Sequence, residues 1–281
     1  MSKNNKIKRQ IENYVFLTLS FLSAGFGLFF LFWILGDLLI NGFKYINLDL
    51  FTHDPVPPGM EGGGLKHAFI GHIIITFLGT VIGTPIGILA GIYFAEYGRN
   101  SKLASILRNI VDIMVSNPSI VIGAVVYAIL VKPVGHFMGI AGGVALALLM
   151  IPVIVITTDE MMKLVPKETR EAAYALGAQP WQVSFQIVLK AAKVGVLTGV
   201  ILGVARISGE TAPLLFTAFN NSFTTLDVTK PMASLTVTVF QYAMGPYDEW
   251  HRQAWAASFI LTFGVLIASI TARYLIQKKR T

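Results

Sequence analysis

The sequence predicts an all-α integral membrane protein with six transmembrane helices. Of its 281 residues, 54% are hydrophobic and only 13% are charged, and the apolar residues gather in long uninterrupted runs. Soluble domains usually carry about 25% charged residues. A water-soluble fold of this size could not bury so many apolar side chains, because even well-packed domains leave many residues at the surface. A lipid bilayer can solvate an apolar outer surface.

The apolar runs set the predicted spans, since a membrane-spanning helix needs about 20 mainly apolar residues. The predicted spans are residues 14–38, 68–95, 110–131, 138–158, 194–219 and 253–275. The first run is too long for a signal peptide and lacks a small-residue cleavage site. We therefore predict an N-terminal helix with its outer loop at 14–67 and a five-helix core at 68–275, flanked by short tails at 1–13 and 276–281.

The distribution of basic residues predicts the orientation in the membrane. Most lysines and arginines lie in segments that share one side with both termini, namely 3–9, 99–108, 163–193 and 273–280. Basic residues favour the cytoplasmic side, so we expect both termini of this multi-pass chain to lie in the cytoplasm and the protein to reside in the cytoplasmic membrane. Charges placed between apolar spans explain the net charge of +7 without nucleic-acid binding.

Small residues recur at four-residue spacing in two predicted spans, which places them along one helix face. They are Gly79, Gly83, Gly87 and Gly91 in the second span, and Gly199 and Gly203 in the fifth. Small residues allow close helix packing in membranes, so we predict that these glycines pack helices together. The alternative role is as hinges for a moving gate. Pro85 is expected to kink or open the second span. Asn117 and Pro118 interrupt the third span, as a kink or as a polar pore lining.

Two charges fall inside the fifth predicted span, at Arg206 and Glu210. A charged side chain within the bilayer is costly, so it usually faces the protein interior, has a partner and marks a pathway. Residues four apart share a helix face, and the arginine fork suits phosphate or carboxylate. Glu210 would hold the guanidinium and limit how tightly an anion binds. The pair predicts an anion pathway, with a structural ion pair as the alternative.

The predicted cytoplasmic segment 159–193 contains a short helix that begins near Pro166 and ends near Gly177. Proline suits a first helical turn and glycine suits a helix end. A protruding helix of this kind can dock into a groove of a partner, although a solvated amphipathic helix satisfies the same pattern.

This segment resembles the EAA loop of ABC-importer permeases. Their pattern is E-A-A, three residues, G, nine residues and then I-x-L-P. The matching residues are Glu171, Ala172, Ala173, Gly177, Ile187 and Leu189. Lys190 stands where the pattern has its final proline. The resemblance implies that the loop docks into a separate ATPase subunit. ATP-Mg would then bind to that subunit and this chain would bind no cofactor, in agreement with the lack of a G-x-x-x-x-G-K-[ST] motif.

Three further stretches, 83–93, 117–123 and 205–215, are similar to phosphate permeases of the PstA type. The resemblance implies the type I ABC-importer permease fold and phosphate import through Arg206 and Glu210. It also implies a PstC-like second permease subunit, a PstB-like ATPase dimer and a PstS-like phosphate-binding protein as partners.

Three other functions remain open from the sequence. The chain could be a permease for another oxyanion, an intramembrane enzyme that uses Glu210 as acid or base, or a subunit that signals phosphate level. The enzyme is disfavoured because no second catalytic group accompanies Glu210. The five scattered histidines and the absence of cysteine disfavour a metal site or a thiol nucleophile.

Overall fold

The computed structural model describes residues 3–98 and 101–278, and all regular structure within these ranges is helical, which confirms the predicted fold class. The helices are α1 (Lys3–Lys44), α2 (Asp49–Thr52), α3 (Lys66–Tyr97), α4 (Lys102–Ser116), α5 (Ser119–Val134), α6 (Gly139–Lys163), α7 (Lys167–Ala175), α8 (Pro180–Ser208), α9 (Ala212–Thr217), α10 (Leu235–Ala243) and α11 (Asp248–Lys278). Arg99, Lys279 and Arg280, which contributed to the predicted orientation, lie outside the described residues.

Five of the described helices, α1, α3, α6, α8 and α11, are long and apolar enough to cross a membrane. The pair α4 and α5 meets the same criterion together and would form a sixth span, but its two halves are bent by 108°. The bend follows from Pro118, because the residue before a proline is driven out of the helical region. Asn117 accordingly has the extended angles φ −76° and ψ 138°.

The fifth predicted span is wrong in its bounds. The helix covers Pro180–Ser208 rather than 194–219, and the chain breaks before the short helix α9. Gly209 ends α8, and Pro213 begins a new helix because proline fits only the first turn. Within the predicted cytoplasmic segment 159–193, α6 extends to Lys163 and α8 begins at Pro180, so most of the segment is helical.

Helix α6 is the centre of the fold, and α3 packs along it through the four-residue glycine stripe. A β-carbon on Gly79 would lie 2.8 Å from the Leu146 side chain, and one on Gly91 would lie 2.5 Å from that of Thr158. Any larger residue would therefore separate the helices. α3 continues through Pro85, whose side chain is exposed.

The first helix differs from the others because it packs only along α11 among the extensive helix contacts. Residues 9–34 of α1 are all exposed in the single chain. The segment 3–13 continues the same helix without interruption. On the side of the α1 C-terminus, Leu50 and Leu65 are buried with Tyr242 of α10, a short helix that the sequence pattern did not predict.

Candidate functional site

Arg206 and Glu210 lie where α8 ends. The amides of Gly209 and Glu210 donate to the carbonyls of Arg206 and Ile207 over 3.1 and 3.3 Å, which closes the last turn. Glu210 is thus beyond the helix, and the prediction that both charges lie within one helix is wrong. The structure nevertheless brings them together, with Arg206 Nε 3.9 Å from Glu210 Oε1. That distance is an ion pair and too long for a hydrogen bond.

The two partners differ in exposure, since the Arg206 side chain is 42% exposed and that of Glu210 only 17%. The Glu210 carbonyl accepts a hydrogen bond of 2.9 Å from the Thr236 hydroxyl, which fastens the turn to the start of α10. Because Glu210 is too far away to accept a hydrogen bond from Arg206, the guanidinium donors stay free on an exposed surface. Such a group can bind a tetrahedral oxyanion through two parallel hydrogen bonds.

Arg206 lies far along α8 from the lysines near the start of that helix. Lys193 is the last lysine of this helix, and the 13 residues from it to Arg206 rise about 20 Å at 1.5 Å per residue. The hydrocarbon core is about 30 Å thick. An arginine this far from the last lysine is costly unless it faces protein or water.

Two interrupted helices meet beside this site. A β-carbon on Gly123 of α5 would lie 2.6 Å from the Cα of Pro213 in α9, so the two backbones are in close contact. α5 follows the break at Asn117, and α9 follows the break at Gly209. In membrane proteins, broken helices occur where the backbone lines a cavity or a transport pathway. The stretches 117–123 and 205–215 therefore belong to adjoining elements.

The glycines of α8 face α6. A β-carbon on Gly199 would lie 2.6 Å from the Thr157 side chain, and one on Gly203 would lie 3.0 Å from that of Met150. Arg206, in contrast, is exposed. α8 thus has a packed glycine face and an open charged end.

The helix with the EAA residues is α7. Gly177 has φ +84°, and its amide donates to the Tyr174 carbonyl, so it closes α7 in a left-handed conformation that favours glycine. Glu171 and Ala172 are exposed, whereas Ala173 is 6% exposed and packs in an apolar cluster with Val183. The EAA residues therefore do not share one surface.

Large apolar side chains surround the exposed face of α7. Leu164, Tyr174, Leu176 and Trp181 have 73%, 48%, 89% and 51% of their area exposed. Leu164 and Leu176 lie in the loops that join α6, α7 and α8, and Tyr174 lies in α7, all at the end of α8 opposite Arg206. An apolar surface of this kind, outside the lipid-facing helices, is typical of a protein interface.

Two charged clusters near α7 were missed by the sequence interpretation. Asp159 binds Arg108 at 2.5 Å and Lys163 at 2.7 Å, and Glu96 binds Arg170 at 2.8 Å. The pair Asp159 and Lys163, four residues apart at the end of α6, was the only local signal. Glu96 and Arg170 are 74 residues apart in the chain, so no spacing pattern could join them.

Comparison with known proteins places these features in a family. The profile of the binding-protein-dependent transport system inner membrane component matches residues 83–281. The phosphate transport system permease protein PstA of Yersinia pestis is 49% identical over 97% of this chain and 92% of its own length. PstA of Haemophilus influenzae is 50% identical over 97% of this chain and 96% of its own length.

A solved structure shares the fold at lower identity. It is the MetNI methionine ABC transporter in an inward-facing conformation, with a TM-score of 0.57 and 22% identity over 76% of this chain and 94% of that chain. This likeness confirms the predicted permease fold. The relatives that match almost end to end confirm the resemblance drawn from residues 83–93, 117–123 and 205–215. The chain belongs to the family of binding-protein-dependent transport system inner membrane components, and within it to the PstA phosphate transport system permeases.

Proposed function

We propose that this chain is the membrane-spanning permease subunit of an ATP-driven importer that carries inorganic phosphate into the cytoplasm. The observation that carries the proposal is the 49–50% identity to PstA permeases over nearly the full length of both chains. The half-exposed Arg206 at membrane depth supplies the matching chemistry, because its charge is permanent and its donors fit phosphate oxygens.

Glu210 would keep anion binding at this site weak enough for release. A conducting site must bind its ion strongly enough to attract it and weakly enough to release it. At 3.9 Å the Glu210 carboxylate attracts the guanidinium without occupying its hydrogen-bond donors. It also repels an arriving anion, so phosphate exchanges quickly. No bond to phosphate is made or broken, and this chain needs no cofactor of its own.

The exposed surfaces of the single chain suit the proposed partners. A PstC-like permease would cover the open side of Arg206, where lipid would be unfavourable. A PstB-like ATPase dimer would bind the apolar surface around α7 and supply the free energy of ATP-Mg hydrolysis. A PstS-like phosphate-binding protein would deliver phosphate at the opposite side. Both termini would then lie in the cytoplasm, as the basic residues predict.

Uptake into vesicles tests the proposal. The complex, purified through a tag on this chain and placed in liposomes with the binding protein outside and ATP inside, is expected to accumulate radiolabelled phosphate. Excess unlabelled phosphate should suppress the signal, whereas sulfate and molybdate should not. Equal suppression by sulfate or molybdate would assign the importer to another oxyanion. Accumulation without ATP would contradict the ATP-driven mechanism.

The surface around α7 yields a separate prediction. Leu176→Asp is expected to reduce the amount of ATPase subunit that co-purifies with the permease, because Leu176 is the most exposed of the four apolar side chains around α7, at 89%. Loss of an apolar anchor weakens an interface by about tenfold or more. Leu226→Asp is the matched control, since Leu226 is 73% exposed in the loop between α9 and α10. Equal ATPase recovery from both variants would remove α7 from the interface.

A further inference from the structure

Arg170 lies one residue before the exposed Glu171 but is directed the opposite way, into the membrane domain. Its side chain is 18% exposed, and its partner Glu96 is 8% exposed. Arg170 Nη2 and Nε donate to Glu96 Oε1 at 2.8 and 3.2 Å. α7 therefore presents one face for docking and holds the membrane domain with the other.

The same guanidinium also binds the end of α6. Arg170 Nη2 donates to the Met162 carbonyl at 2.8 Å, and Nη1 donates to the Val165 carbonyl at 2.6 Å. These carbonyls belong to the last turn of α6 and the residues after it, where helical partners are missing. One side chain of α7 thus joins the ends of α3 and α6 through directional, charge-assisted bonds.

Glu96 lies in a segment that has a second connection. Residues Tyr93–Tyr97 form a π-helical turn at the end of α3, a geometry that is frequent at functional sites. Arg108 of α4 donates to the Phe94 carbonyl at 3.1 Å and stacks on the Phe94 ring at 4.6 Å from its centroid. Arg108 also binds Asp159 of α6. The π-turn therefore links α7 to α4, the first half of the bent span.

We infer that the ion pair between Arg170 and Glu96 is the joint through which movement of α7 is passed to α3 and, through Phe94 and Arg108, to the bent span α4–α5. The inference rests on the proposed function, in which α7 receives movement from the ATPase. Arg170 and Glu96 are positioning residues in this role, because neither contacts the transported anion. An apolar cluster that includes Ile92, Val165 and Ala173 packs beside the joint. These contacts should hold α7 against the membrane domain when the ion pair is lost.

Loss of the joint is expected to separate ATP hydrolysis from transport. In Glu96→Gln and in Arg170→Gln, phosphate taken up per ATP hydrolysed should fall by roughly 2- to 30-fold, the range over which single residues change coupling. The ATPase subunit should still co-purify. The double variant should be no worse than either single variant, because both remove the same connection. Reversal of the charges is unsuitable, since a glutamate at position 170 would face the Met162 and Val165 carbonyls.

A distance measurement tests the joint without reference to phosphate. The chain has no cysteine, so nitroxide labels can be attached at Lys167→Cys on α7 and Leu89→Cys on α3, both exposed positions, in a complex with cysteine-free partners. With Glu96 present, the distance between the labels should stay the same when a non-hydrolysable ATP analogue is added. With Glu96→Gln it should change or broaden, because α7 then moves without α3.

Specific outcomes overturn the inference. A distance that changes with nucleotide in the wild-type background would show that α7 and α3 do not move together. An unchanged ratio of uptake to hydrolysis in both single variants would assign the pair to stability alone, as would loss of transport in proportion to lost ATPase subunit. Glu249→Gln is the control, since it removes the partner of Arg252 at 3.4 Å on α11. Failure of the wild-type complex to take up phosphate would count against the proposed function, while the label distances would still decide the joint.

Discussion

Replacement of Arg206 by glutamine is expected to abolish most phosphate uptake while leaving the complex assembled. Glutamine keeps a polar side chain of similar length but removes the permanent charge and the paired donors that suit a phosphate oxyanion. Hydrogen bonds to charged groups contribute about 1.5–3 kcal/mol, so uptake at low phosphate should fall by about tenfold to hundredfold. Radiolabelled phosphate uptake by cells, with co-purification of all subunits as the check on assembly, measures this effect.

Two further arginine variants sharpen the experiment. Arg206→Lys keeps the positive charge but loses the paired donors of the guanidinium. Uptake between that of the wild type and that of Arg206→Gln is expected if the charge alone attracts the anion. Uptake as low as in Arg206→Gln is expected if the paired hydrogen bonds bind it. Arg252→Gln removes an arginine that also has a glutamate partner, Glu249, but lies on α11. It should leave uptake unchanged. Normal uptake by an assembled Arg206→Gln complex would make Arg206 and Glu210 a packing pair and would move the transport site to the partner subunit.

Gly87→Val should cause a large loss of stability. A β-carbon at position 87 would lie 2.7 Å from the Ile154 β-carbon and 2.8 Å from its Cγ2, and valine adds two methyl groups to it. Overpacking of this kind costs about 1–3 kcal/mol or more, because α3 and α6 must separate along their whole contact. At roughly 2–4 °C per kcal/mol for a chain of this size, the unfolding midpoint in detergent should fall by about 5 °C or more.

Gly27→Val provides the matched control for this effect. Gly27 lies in the exposed helix α1, and a β-carbon there would have no atom within 4 Å. The same substitution should therefore leave the midpoint unchanged. A fall of equal size in both variants would indicate a general effect of valine in these helices. If Gly87→Val were as stable as the wild type but slower in transport, the glycine stripe would act in gating rather than in packing.

The sequence predicted what depends on local pattern. Hydropathy located the long apolar helices, and four-residue spacing identified the glycine face that α3 turns toward α6. The end of α8 was missed because the apolar run continues through Leu214 and Phe216, although Gly209 and Pro213 carried the signal for a break. Hydropathy shows whether a segment is apolar but not whether its helix is continuous.

The remaining misses have a different cause. Asn117 and Pro118 indicated a kink or a pore lining, but they carried no information on the size of the bend, which is 108°. The contact between Glu96 and Arg170 joins residues 74 positions apart, so no local pattern connects them. Local sequence contains the chemistry of such groups but not their partners.

The open guanidinium of Arg206 has a consequence for biogenesis. A centrally placed arginine costs about 2.5–3.5 kcal/mol during membrane insertion, and in the single chain 42% of this side chain is uncovered. On the proposed function, a newly made copy that has not met a second permease therefore carries a penalty that assembly would remove. The charge that we propose attracts the transported anion would thus favour subunits made in matched numbers, because a surplus copy would be the less stable one.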